Sequence, residues 1–146
     1  MSEYRESRDV PYTPAQMFDL VADIERYPDF VPGYVRARVI DRRDETLLVD
    51  QIVGLMGVHY GFRSVATLGR PERLRVRSSD RPFRHLEIDW RFTPRSSDRA
   101  HVELVLRYEL RRGMVRRLGG LWLQPMARRI LQAFLDRARA VYGPVD

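Results

Sequence analysis

The chain contains no cysteine. Disulfides and thiol nucleophiles are therefore excluded, and a zinc site would need histidines and carboxylates alone. Histidine is scarce as well. His59, His85 and His101 all fall at outward positions of alternating segments, without metal-ligand spacing and without a serine beside them. They read as surface residues rather than as catalytic or metal-binding groups. Lysine is absent, so all 26 basic residues are arginine. No apolar run approaches the length of a membrane-spanning helix, and the N-terminus lacks the apolar stretch of a signal peptide, so a cytoplasmic setting is expected. No glycine-rich phosphate loop is present. Gly54-Leu55-Met56-Gly57 and Gly119-Gly120 match no nucleotide-binding spacing, and the first reads as a bend or bulge in a curved sheet. No nucleophile elbow or Ser-His-Asp order is legible. The expected catalytic and metal residues are none, and the chain gives no positive sign of an enzyme.

What is present is enough for one domain over residues 1–146, with 44% apolar residues and a formal charge of +6. Such a charge favours anionic partners: RNA, a phospholipid headgroup layer or an acidic protein. Guanidinium groups also bind phosphate in a bidentate way. One arginine group surrounds a single hairpin (Arg70, Arg73, Arg75, Arg77, Arg81, Arg84). Another precedes the last helix (Arg107, Arg111, Arg112, Arg116, Arg117). Arg73, Arg75, Arg77, Arg112, Arg116 and Arg117 are the candidate polyanion-binding residues. The alternative is a solvated face paired with neighbouring carboxylates. Aromatics are not interleaved with these arginines, so stacking on single-stranded bases is poorly supported.

The pattern begins with a strand over about Glu3 to Val10. Thr13, Pro14 and Gln16 then form a capping box with proline at the first helical position. Met17, Leu20, Val21 and Ile24 give that helix one apolar face, and Pro28 and Pro32 are expected to stop it. Asp19 and Asp23 lie four residues apart. They read as solvated charges, with Asp23 also placed to accept from amides of the following loop. Alternating segments follow. Their inward members are Val35-Ala37-Val39, Val58-Tyr60-Phe62-Ser64-Ala66-Leu68, Leu74-Val76, Leu86-Ile88-Trp90-Phe92 and Val102-Leu104-Leu106-Tyr108-Leu110. Thr46 to Val53 is a further, less regular strand. Alternation of this kind means an antiparallel sheet with one face wet and one covered.

From Met114 to about Tyr142 the period becomes helical. Val115, Leu118, Trp122, Met126, Ile130, Phe134, Ala138 and Val141 form a stripe. Pro125 either kinks this helix or marks its start, and Gly143-Pro144 ends it. One long apolar helix and one apolar sheet face must cover each other, so the fold class is α+β.

Two strings carry a family resemblance. Leu20-Val21-Ala22-Asp23…Tyr27-Pro28-Asp29-Phe30-Val31-Pro32 and Arg81-Pro82-Phe83…Trp90-Arg91-Phe92-Thr93-Pro94 resemble the coenzyme Q-binding START-like family. The closing helix, Ala133 to Gly143, is similar too. Arg81 stands where that family usually has glycine. Gly33 follows Pro32 where the quinone-binding subgroup often has tryptophan, and in this it looks like the ribosome-association toxin subgroup.

The resemblance implies a helix-grip fold: a curved antiparallel sheet wrapped around a long C-terminal helix, with short helices after the first strand and a cavity between. It implies a ligand-binding set of Phe30, Pro32, Tyr34, Phe62, Trp90, Phe92, Tyr108, Trp122, Met126 and Phe134. The implied role is non-enzymatic holding of a polyprenylated, ubiquinone-like lipid, with no cofactor of its own. Two alternatives belong to other classes. One is inhibition of ribosome association through the arginine surface, and the other is aromatic polyketide cyclisation using Glu6 and Arg8, if they face the cavity. Expected partners are thus a prenyl quinone or similar molecule, the ribosome, and peripherally an anionic inner membrane.

Overall fold

The computed structural model describes residues 2–55, 57–114 and 123–144. Trp122, Arg116, Arg117, Val115, Leu118 and the Gly119-Gly120 pair lie outside those residues. Seven strands form one antiparallel sheet in the order β1-β7-β6-β5-β4-β3-β2. They are β1 (Ser2–Val10), β2 (Tyr34–Arg43), β3 (Thr46–Leu55), β4 (Val58–Gly69), β5 (Arg73–Ser78), β6 (Phe83–Ser96) and β7 (Arg99–Leu110). Helix α1 (Pro14–Ala22) and a 3-10 helix over Ile24–Asp29 follow β1, and the long helix α2 (Leu123–Tyr142) closes the fold. β2 to β7 form an unbroken meander. β1 adds to the β7 edge, because the α1 excursion returns the chain to the far side of the sheet.

The start of α1 is built as its residues dictate. The Thr13 hydroxyl accepts from the Gln16 amide, and the Gln16 side chain accepts from the Thr13 amide, at 3.1 and 2.9 Å. Its end differs from expectation. The α-helix stops at Ala22 with Asp23 as the C-cap, five residues before Pro28, and Pro28 sits inside the 3-10 helix. Asp23 makes no side-chain capping bond. The tighter 3-10 winding turns Tyr27 inward, where its hydroxyl donates to the Val21 carbonyl. This anchors the loop that carries Phe30.

Two bulges in β2, at Val35 and Ile40, shift its parity. Tyr34, Ala37 and Val39 face the core, while Val35 is 46% and Ile40 41% exposed, so Val35 is not inward as strict alternation predicts. The β3–β4 turn is a tight hairpin in which Leu55 pairs with Val58. Gly57 there has φ +78°, which a side chain would strain. Gly54, Leu55 and Gly57 therefore belong to the end of a hairpin rather than to a bend or bulge within a strand, and Met56 lies outside the described residues.

Helix α2 begins with Pro125 in its first turn. Its buried line runs through Ala127, Leu131, Phe134 and Ala138, each at 1% exposure or less, and Val141 is 51% exposed. The expected stripe is thus rotated towards the alanines, which let the helix backbone approach its neighbours. Tyr12 and Tyr142 tie α2 to the first part of the chain. Tyr12 donates to the Gly143 carbonyl and Tyr142 to the Gln16 carbonyl, both at 2.7 Å.

Candidate functional site: an enclosed cavity between sheet and helix

The inner face of the sheet, α1 and α2 enclose one large apolar cluster. Phe134 of α2 is its centre. It makes edge-on ring contacts with Trp90 at 4.9 Å, Phe30 at 5.0 Å and Tyr27 at 5.3 Å. Arg137, one turn along, lies over the outer side of the Phe30 ring at 5.1 Å. Beneath Phe134 is an enclosed cavity of about 40 Å³. Tyr34, Trp90 and Phe134, three of the residues expected to bind a ligand, line it. Ile24, Tyr27, Val31, Ile88, Leu106 and Ile130 also line it, and so do the polar Gln51 and Ser64. Among the described residues, no side chain lining it carries a formal charge.

Gln51 and Ser64 are 4% and 2% exposed. They occupy inner-face positions of β3 and β4, where Gln51 stands opposite Phe62 and Ser64 opposite Val49. Inner neighbours Ala37 and Ala66 are small, and the cavity exists where sheet side chains are short. A buried amide or hydroxyl needs a hydrogen-bond partner, and on a largely apolar cavity wall these two groups mark the place where a polar guest is favoured. Burial pushes the Tyr34 phenol up to about 12 and raises Tyr27 well above the ordinary value, Tyr27 also through Tyr34 and Asp23 nearby. Both phenols are therefore neutral.

The remaining expected ligand residues are distributed elsewhere. Phe92 stacks behind Trp90, at 6.2 Å, and meets Phe18 edge-on. Phe62, Tyr108 and Met126 belong to a second apolar cluster with Phe83, Leu86 and Leu106. Leu106 lines the cavity as well, so it forms the wall between the two clusters, with Ile88 packed against both. Pro32 is exposed, and with Phe30 it lines a shallow open groove along the outside of α2. Trp122 lies outside the described residues.

Neither Gln51 nor Ser64 is among the ligand-binding residues expected from the sequence. Polar residues at core parity, Gln51 in the less regular Thr46–Val53 strand and Ser64 among the inward members of β4, are the signal that could have pointed to them. Glu6 and Arg8 do share the inner face of β1. They do not line the cavity; Arg8 donates to Gln132 at 2.6 Å and Glu6 pairs with Arg128 at 3.7 Å, at the β1–α2 seam.

On the outer face, arginines and carboxylates interleave across strands. Arg73 holds Asp89 with two bonds of 3.0 and 2.8 Å, and Arg75 donates to Glu87 at 2.7 Å. These arms cover Asp89 to 4% exposure, although its strand parity faces water. Burial pushes the Asp89 carboxyl up, but the bonds from Arg73 and the nearby Arg91 bring it below its ordinary value. Arg75 does the same for Glu87, more simply. Arg77 and Arg112 are exposed, while Arg116 and Arg117 lie outside the described residues. Arg36, Arg38 and Arg63 line an open groove on β2–β4. The histidines sit at the surface. His101 meets Asp9 at 2.6 Å, and no group of three potential metal ligands occurs among the described residues.

Residues 10–135 match the family described as polyketide cyclase / dehydrase and lipid transport. The chain belongs to this family. The chain is similar to proteins named for different roles. The ribosome association toxin RatA of Escherichia coli (strain K12) is 29% identical over 92% of this chain and 85% of its own. Coenzyme Q-binding protein COQ10 homolog B, mitochondrial, of Xenopus laevis is 27% identical over 97% of this chain and 59% of its own. The crystal structure of the Zhui aromatase/cyclase from Streptomyces superposes with a TM-score of 0.85 at 16% identity, over 99% of both chains, which shows the shared fold. The START-like, helix-grip architecture expected from the sequence is the one observed. Among the described residues no helix is long and apolar enough to cross a membrane.

Proposed function

We propose that the chain is a non-catalytic holder of a polyprenylated quinone or a closely related prenyl lipid. The observation that carries this reading is the cavity at Phe134: aromatic and aliphatic walls, a small polar patch, and no charged group among the described residues that line it. General acid–base chemistry needs a group that titrates near the working pH, and the two neutral phenols do not. The coenzyme Q-binding relative supports the choice of ligand.

At about 40 Å³ the cavity is small. It has room for a few waters, whereas pockets for small ligands run to roughly 300–1,000 Å³. Entry of a ring requires Phe134 and Ile130 to separate from the Tyr27–Tyr34 segment. Parting the three ring contacts of Phe134 costs about 2–4 kcal/mol at 0.5–1.5 each. Burying one five-carbon isoprenoid unit returns about 4 kcal/mol at 0.8 per carbon. One or two units therefore offset the opening, which favours long prenyl tails over short ones. Displacing the wall at Ile88 and Leu106 would bring the tail against the apolar Phe62–Phe83–Tyr108 cluster.

The test is retention of ubiquinone after incubation with quinone-loaded vesicles and re-isolation. The wild type should retain close to one per chain. Ile130→Asp places a charge on the cavity wall from a partly exposed position and should retain less than a tenth of that. An empty wild type, or full retention by the variant, would overturn the reading.

A second reading is supported by the toxin relative and by Arg36, Arg38 and Arg77, all exposed on the outer sheet face. It is ribosome binding through phosphate contacts, independent of the cavity. It predicts co-sedimentation with the large subunit that weakens steeply between low and moderate salt. Reversal of those three charges should abolish it, and sedimentation unaffected by salt or by the reversal would remove it.

A further inference from the structure

Resting on the reading of the cavity as a quinone site, we infer that Gln51 and Ser64 form its head-group station. It takes an uncharged, oxygen-bearing ring in either oxidation state. Both side chains are more than nine-tenths buried, and both line the cavity. They come from adjacent strands and sit diagonally on one face, since Gln51 pairs with Phe62 and Ser64 lies two residues further along β4. That spacing, roughly 7 Å between backbones, lets two side chains address one small group. Trp90 provides a flat ring beside them.

Their chemistry determines the class of guest. A glutamine amide offers two N–H donors and a carbonyl acceptor, and a serine hydroxyl both donates and accepts. A quinone carbonyl needs a donor. The hydroxyl of the corresponding quinol needs an acceptor. Rotation of the amide and of the hydroxyl supplies either, with no net change in the number of bonds. Arginine or lysine in this place would have favoured an anion, and a carboxylate would have favoured the quinol alone. Among the described residues no charged group lines the cavity, so the carboxylate of a fatty acid or the phosphate of a phospholipid would find no counter-ion from them there. The station therefore admits the neutral ring and excludes the commonest charged lipids. It also leaves the oxidation state of the cargo undetermined, as suits a holder rather than an oxidoreductase.

The experiment is calorimetric titration of the full chain with decylubiquinone, its quinol, decylbenzene and decanoate. For the wild type, quinone and quinol should bind within about threefold of each other, decylbenzene more weakly and decanoate not measurably. Gln51→Leu keeps the bulk and removes both bonding functions. It should weaken quinone and quinol by about tenfold, the equivalent of roughly 1.4 kcal/mol, and leave decylbenzene within twofold. Ser64→Ala should act in the same direction, and it serves as the second variant if Gln51→Leu does not fold. Wild-type binding unaltered by either substitution would overturn the head-group assignment while sparing the cavity. So would a wild-type preference above tenfold for one oxidation state, or tight decanoate binding. Failure of the wild type to bind any of the four would remove the cavity reading itself, and this inference with it.

Discussion

Phe134→Ala tests whether one ring holds the cavity shut. Phe134 is 1% exposed and touches Tyr27, Phe30 and Trp90, residues from the 3-10 helix, the following loop and β6. Truncating a buried phenylalanine costs about 3–5 kcal/mol through lost transfer energy and the space left behind. For a chain of this size about 3 °C of melting temperature follows each kcal/mol, so a fall of about 10 °C is expected. The same truncation enlarges the cavity beside Gln51 and Ser64, and a quinone then enters without separating α2 from the loop. Added decylubiquinone should therefore recover more stability in the variant than in the wild type. Urea unfolding followed by circular dichroism, with and without the ligand, measures both. A loss below 1 kcal/mol would refute the claim that this ring clamps the seam. A full loss with no ligand-dependent recovery would refute the claim that the space beneath it is the binding site.

Two other consequences concern the outer face and the loop. Asp89, Glu87, Asp9 and Glu3 all have their carboxyls held below ordinary values by arginine or histidine partners. A depressed carboxyl contributes stability above its unfolded value and loses it as the pH falls through its folded one. The urea midpoint should thus be flat above about pH 5 and drop progressively below about pH 4, with a shallower drop in Asp89→Asn; a flat profile down to pH 3 would contradict this. Gly33 has φ +84°, and its carbonyl accepts from the Gly54 amide at 2.7 Å. Gly33→Ala should lower stability by about 1 kcal/mol in the same urea assay, and no loss would show that the loop relaxes freely.

Much of this architecture is legible in the chain. The Thr13–Gln16 capping box, the alternation of β4 to β7 and the C-terminal helix follow from local rules, and the structure shows all of them. Departures arise where a non-local contact overrides a periodic pattern. Bulges in β2 insert residues that alternation cannot count. Alanines 127 and 138 draw α2 closer than larger residues would, rotating its buried line away from Val141. Long arginine arms bury Asp89 on a face whose parity is wet. The site was legible in part: Tyr34, Trp90 and Phe134 follow from inward aromatic character. Phe62, Tyr108 and Met126 share that character, but the Leu106 wall between the two clusters is a property of the assembled sheet. Gln51 and Ser64 were not expected, because a polar residue at core parity looks like a break in the pattern until the strands are assembled.

The central claim is that the space beneath Phe134 holds a prenyl lipid. It is tested most directly by mass spectrometry of an organic extract from gently purified protein. The account predicts a prenyl quinone, or a chemically related neutral prenyl lipid, at close to one per chain in the wild type and strongly depleted in Ile130→Asp. An extract empty of prenyl lipids, or one with equal amounts from both proteins, would contradict it.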